Sequence, residues 1–367
     1  MSVFNSQFVS LLSLSKEREL LSLGWRGSWV WVPLVLVLLC PLFDSSAFGF
    51  TSLPAVGDNE CSRYKIDSSW ERINFPGVDV DFYFEKVLKE KYRWFPEIFE
   101  DSVRKVLGWF EKNVGPFPEV VPKKKYRILA FGESGKLIEG IKTGCFKNGG
   151  DVFLRGICFN ETKDIVLLLF GGPWEKRDVV VSTTYWATYS LLKTYFAPCP
   201  FWVKAGLSSF LAGISSPGGD EKKGKKTFRS RTSGVFKGRR LAIPLEKLFS
   251  FWGDRGFDLV PRKKVVESNE KAQAFLHGIK GGNVEGGLPP FPDFSWLFLA
   301  ENESWVVFNY IMKGKDETAL ELKGLFWKVL RGKIKEKEKY STILKRFKFG
   351  IMESNILKHY KRCGDRG

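Results

Sequence analysis

The stretch Val179–Ala212, VVVSTTYWATYSLLKTYFAPCPFWVKAGLSSFLA, constrains this chain more than any other. Val179–Phe196 is long enough for a helix of about five turns. It is apolar nearly all round and carries one charge, Lys193. A helix without a polar face belongs in a core. Ala197, Pro198 and Pro200 end it, because proline cannot continue a helix. A second, short helix is expected from Phe201, reading WVKAGLSSFLA after its first residue, and Pro217, Gly218 and Gly219 close the unit.

The order "buried helix, proline corner, W-x-x-x-G-L-x-x-F" resembles the core of the peptidase MA-like gluzincin family. In that family the first helix carries His-Glu-x-x-His and the second supplies a glutamate within a Trp–Gly–Leu framework. Two histidines four apart lie on one helix face and take one zinc. The glutamate beside the first acts as base on the zinc-bound water. Laid residue by residue on this chain, the first histidine falls on Tyr185, the base on Trp186, the second histidine on Tyr189 and the third ligand on Ala205. Trp202, Gly206, Leu207 and Phe210 keep the scaffold pattern. The resemblance therefore implies a relative that has lost all four residues of the peptidase site, with no catalytic residue, no metal ligand and no cofactor. Read without the family, the stretch is an ordinary buried helix pair in which Tyr185 and Tyr189 pack as neighbours one turn apart.

The 367 residues are 44% apolar and 15% aromatic, with 33 Phe and 13 Trp. That is ample for a packed core and argues against bulk disorder. The length allows one large or two modest domains. A net charge of +17 raises nucleic acid and anionic membranes as partners. Neither the aromatic-plus-glycine signature of an RNA-binding sheet nor zinc-finger spacing is present. The charge concentrates in residues 217–240, a Gly-rich loop without apolar period, where Lys222, Lys223, Lys225, Lys226, Arg229, Arg231, Arg239 and Arg240 are the candidate contacts for an anionic surface. The simpler reading is a solvated insertion.

Residues 1–47 read as a signal peptide or signal anchor. Lys16, Arg18 and Arg26 precede an apolar run from Trp29 to Phe43, and Ser45-Ser46-Ala47 offers the small residues of a cleavage site. The run is short for a spanning helix, which needs about 20 residues. The expected location is extracytoplasmic: secreted, periplasmic or held at the membrane by the N-terminus. In an oxidising compartment Cys145 and Cys158, which flank the turn-rich KNGG stretch, are candidates for a disulfide.

Along the remaining chain, 48–68 reads as a linker. Residues 69–215 hold a small sheet and the helix pair, 216–294 a basic and Gly/Pro-rich insertion, and 295–367 a helical region. Strands are expected at Val78–Phe84, Tyr126–Phe131, Val152–Phe159 and Asp164–Phe170, the last two joined as a hairpin through Asn160–Lys163. Helices are expected at Glu97–Asn113, Leu241–Phe251, Glu301–Met312, Thr318–Arg331, Tyr340–Phe349 and Glu353–Lys361. The fold class is α+β, a small mixed sheet followed by a mainly helical, gluzincin-like C-terminal half.

Other sites fail on chemistry. Two histidines, His277 and His359, lie far apart in sequence, where a catalytic zinc site normally takes three ligands. Gly132-Glu133-Ser134-Gly135-Lys136 misses the serine-hydrolase elbow at Lys136 and the P-loop at Ala130 and Leu137, leaving a strand-to-helix turn. Glu301 and Glu303 resemble a glycosidase pair but lie at a helix start, where acidic residues are usual. The sequence thus points to an exported, catalytically inactive relative of a zinc peptidase acting as a binding or structural module. An active hydrolase with an unrecognised site and a binder of anionic surfaces are the alternatives.

Overall fold

Runs of apolar residues pair into a mixed six-stranded sheet in a computed structural model, which describes residues 64–118, 125–142, 152–153, 156–160, 162–169, 175–196, 198–214, 235–237, 240–253, 256–260 and 298–365. The strands are β1 (Trp70–Ile73), β2 (Val80–Glu85), β3 (Tyr126–Phe131), β4 (Val152–Phe153), β5 (Gly156–Phe159) and β6 (Asp164–Leu168), in the order β1-β2-β3-β6-β5-β4. β2, β3 and β6 run parallel, and the other neighbours pair antiparallel. The expected β5–β6 hairpin is present, and Lys163 takes φ 59° in its turn.

β3 is buried along its whole length. Successive side chains of a strand point to opposite faces, so this sheet must be covered on both. Ile128, Ala130, Ile165 and Leu167 join the main core, while Leu129, Phe131, Val166 and Leu168 join a smaller one with Tyr64, Trp70 and Leu137. The main face carries α2 (Phe95–Asn113), which follows the short α1 (Lys86–Lys91), and α4 (Lys176–Tyr195). Leu137 belongs to α3 (Ser134–Lys142), which covers the other face. Arg127 and Asp164 are register partners on β3 and β6, and their side chains form a two-pronged buried ion pair, Nε–Oδ1 2.7 Å and Nη2–Oδ2 2.9 Å.

α4 is the helix that the apolar run demands, and it is buried from Val179 to Leu192 apart from a half-exposed Val181. Several of its hydroxyls bond back to their own helix, which lets them enter a core. Thr188 Oγ1 donates to Thr184 O at 2.7 Å, and Ser190 Oγ to Ala187 O at 2.9 Å. α5 (Phe201–Ile214) packs on α4 and, on its other side, on α7 (Leu299–Lys313). It starts at Phe201, as the sequence suggests, and runs two residues past Ala212. Gly206 makes the α5–α7 approach possible: a Cβ there would lie 2.9 Å from Phe308 Cβ and 3.0 Å from Ser304 O. The main core runs without a break from Phe75 to Tyr360, so the segments on either side of the insertion share it.

The remaining helices are α6 (Leu245–Ser250), α8 (Glu317–Leu330), α9 (Lys337–Leu344) and α10 (Phe349–Asp365). The expected helix over Leu241–Phe251 begins only at Leu245, after Pro244. Leu241 instead belongs to a two-residue strand, β8 (Arg240–Leu241), paired with β7 (Phe236–Lys237). The end of the basic segment therefore carries a short antiparallel strand pair in place of the expected loop. The expected helix at Tyr340–Phe349 is likewise divided, with Lys345–Lys348 between α9 and α10. No helix among the described residues is long and apolar enough to cross a membrane. The leader 1–47, Cys145, His277, Arg239 and the basic residues Lys222–Arg231 lie outside the described residues.

Candidate functional site

The four positions where the resemblance places a metal site lie within the core. Tyr185, Trp186, Tyr189 and Ala205 are each at most 1% exposed. The three rings pack as one cluster. Tyr185 stacks on Tyr189 with centroids 6.0 Å apart, and Trp186 meets Tyr185 and Tyr189 edge-on at 5.0 and 5.5 Å. Such pairs favour offset-stacked and edge-to-face geometry.

Trp186 is aimed at the sheet. Its indole lies over Gly156 of β5, where an added Cβ would be 2.6 Å from Trp186 Cε2 and closer still to Nε1. Lys193, the one charge in the apolar run, follows Tyr189 by one turn. Its Nζ donates to Asn160 Oδ1 at 2.5 Å and lies 5.8 Å from the Tyr189 ring centroid. The charge thus leaves the core at the β5–β6 turn.

The scaffold residues on α5 face other elements. Trp202 stacks on Phe249 at 4.6 Å, and its Nε1 donates to Tyr340 Oη at 2.7 Å. Burial pushes the Tyr340 phenol far above its ordinary range. Phe210 packs on Phe308 at 5.5 Å. Leu207 is fully buried. Gly206 and Phe210 therefore lock α5 to α7, Trp202 ties it to α6 and α9, and their spacing has a packing reason of its own.

The strand-to-helix turn expected at Gly132–Lys136 is present, and its chemistry is local. Glu85 Oε2 accepts from Gly132 N at 2.5 Å and Glu133 N at 2.8 Å. Burial raises the Glu85 carboxyl, while these two donors and Lys136 pull it down. A Cβ at Gly132 would lie 2.8 Å from both Leu88 Cγ and Val87 Cγ1. The glycine serves packing rather than a phosphate or a nucleophile.

Glu301 and Glu303 lie at the helix start, as expected, and are buried there, 2% and 0% exposed. Glu301 packs against Gly256. Glu303 Oε2 accepts from Ile243 N at 3.0 Å, and its Oε1 has no partner among the described residues. Glu353 of α10 accepts from Leu245 N two residues further on, at 3.5 Å. The two carboxylates thus hold the Ile243–Leu245 segment from α7 and α10. Burial raises the Glu303 carboxyl well above the carboxylate range, the Ile243 N–H opposes this, and the Glu353 charge adds to it.

A carboxyl with a raised folded-state pKa contributes its stability below the unfolded value, and that contribution is lost as pH rises through the folded one. Glu303→Gln, neutral and similar in shape, is expected to match the parent near pH ~4, the ordinary glutamate range. It should become more stable than the parent as pH rises to neutrality. Urea midpoints of both proteins across this interval test it; parallel curves would contradict it.

The sequence singles out Glu303 only as a helix-start acid and gives no signal for Glu353, because the backbone each one holds is distant in the chain. His359 is on α10, 5.6 Å from the Tyr310 ring. Among the described residues no three His, Cys, Asp or Glu side chains converge to hold a metal. Cys158 is buried on β5, facing the main core. No protein-family model matches the chain, and no curated protein matches it.

Proposed function

We propose that this chain is an exported, catalytically inactive relative of the gluzincin peptidases that serves as a binding or structural module. The packing at Tyr185, Trp186 and Tyr189 carries the reading. A peptidase needs a metal, a water and a peptide carbonyl in contact with the first helix, and here that helix face is closed by three interlocked rings. The chemistry agrees. A phenol with an ordinary pKa near 10 is protonated at neutral pH, an indole can only donate a hydrogen bond, and an alanine methyl binds nothing polar. Export is supported by the basic residues and the apolar run of the first 47 residues.

Incubation of the purified chain with a denatured protein substrate tests the reading. The substrate should remain intact. Cleavage that a zinc chelator stops and Tyr185→Ala abolishes would overturn it.

A further inference from the structure

The strand end Arg240–Leu241, the following Pro244 and the helix α10 border an open cleft of about 560 Å³. Small-molecule sites usually measure about 300–1,000 Å³ and combine apolar walls with a few placed polar groups. This cleft has that composition. Leu241, Pro244 and Leu357 give it apolar walls, and Arg240, Lys358 and Glu353 line it with charge. The charges differ in exposure: Arg240 and Lys358 are exposed, whereas Glu353 is half-buried and accepts from the Leu245 N–H at 3.5 Å. Among the described residues neither Arg240 nor Lys358 has a carboxylate within ion-pair range. One wall is anchored on both sides: Glu303 of α7 accepts from the Ile243 N–H at 3.0 Å, and Glu353 of α10, itself in the lining, from the Leu245 N–H at 3.5 Å.

We propose that this cleft binds a small organic phosphate whose far end carries a hydroxyl or ammonium group, with the phosphate between Arg240 and Lys358 and the donor at Glu353. Guanidinium and ammonium groups at the mouth supply charge-assisted hydrogen bonds to phosphate oxygens. The half-buried carboxylate repels a second anion and accepts a hydrogen bond, which fixes the ligand's direction. The apolar walls take the carbon chain between the two ends. This reading is independent of whether the α4–α5 pair descends from a peptidase.

Aminohexyl phosphate and hexyl phosphate, titrated calorimetrically into the folded full chain, test it. Aminohexyl phosphate should bind one per chain and more tightly than hexyl phosphate. The double change Arg240→Ala and Lys358→Ala should weaken binding by about tenfold or more, equivalent to about 1.4 kcal/mol. Glu353→Gln should remove the preference for the amine. Gly350 lines the cleft, and a Cβ there would meet nothing within 4 Å. Gly350→Leu should therefore fold normally, with an unchanged melting temperature, and still lose binding by filling the cleft. Flotation with phosphatidylethanolamine vesicles separates the two sources of such a head group. Flotation lost in Gly350→Leu identifies a lipid, and binding of the soluble probe without flotation identifies a free phosphate. No binding of either probe to the parent protein, or equal binding by all the variants, would overturn the proposal.

Discussion

Trp186→Ala should destabilise the fold by about 3–5 kcal/mol, the usual cost of emptying a large aromatic site in a core. Trp186 is fully buried, with Tyr185 and Tyr189 edge-on and Gly156 against its indole. Few of these neighbours can collapse into the space. Gly156 has no side chain, and its backbone is pinned by the pairing of β5 with β6. Trp186→Glu, which introduces the residue that the peptidase resemblance would place there, should be worse. It leaves the same cavity and adds a carboxylate whose burial is costly without a partner. The reciprocal change tests the same contact from the sheet. Gly156→Val forces a side chain into the indole, and overpacking of this kind costs about 1–3 kcal/mol and sometimes more. Urea denaturation of the three variants measures these effects. A loss below about 1 kcal/mol for Trp186→Ala would mean that the ring is not packed as described.

A comparably large effect is expected at the Arg127–Asp164 pair. The guanidinium is 10% exposed and the carboxylate 0%, and two bonds join them across neighbouring parallel strands. Removing one partner strands a buried charge, which typically costs about 3–5 kcal/mol. Arg127→Met and Asp164→Leu should each show a loss of that order. Replacing the pair together should cost much less than the sum, because apolar groups of similar volume can stand in for a buried ion pair. A double-mutant cycle measures the coupling. Additive losses would show that the pair is not held in the geometry described.

Much of the fold could be read in the sequence because its strongest signals are local. The Val179–Phe196 run has no polar face, so burial was forced, and the proline corner fixed its end within a residue of Tyr195. β3 and the β5–β6 hairpin were legible from apolar runs bounded by a turn. What could not be read depends on distant partners. Leu241 suits a helix by pattern, yet its backbone pairs with that of Phe236. Glu303 lies in a helix start where acids are ordinary, and only the backbone of Ile243, sixty residues earlier in the chain, makes it a buried anchor. The cleft between Arg240 and α10 brings together residues more than a hundred positions apart, and no local spacing could reveal it. The scaffold spacing Trp202, Gly206, Phe210 was visible, but not what it packs against, since Phe249, Phe308 and Tyr340 lie far along the chain.

Tyr185, Trp186 and Tyr189 pack as one buried aromatic cluster, and on the proposed reading that cluster leaves no room for a metal. A ligand that binds only the folded state raises its stability in proportion to the logarithm of its concentration. Melting the purified chain in increasing zinc at neutral pH, with and without chelator, is therefore the most direct measurement. A closed core gives a melting temperature that zinc does not raise. A rise that saturates at one zinc per chain, reverses with chelator and disappears in Tyr185→Phe with Tyr189→Phe would contradict it.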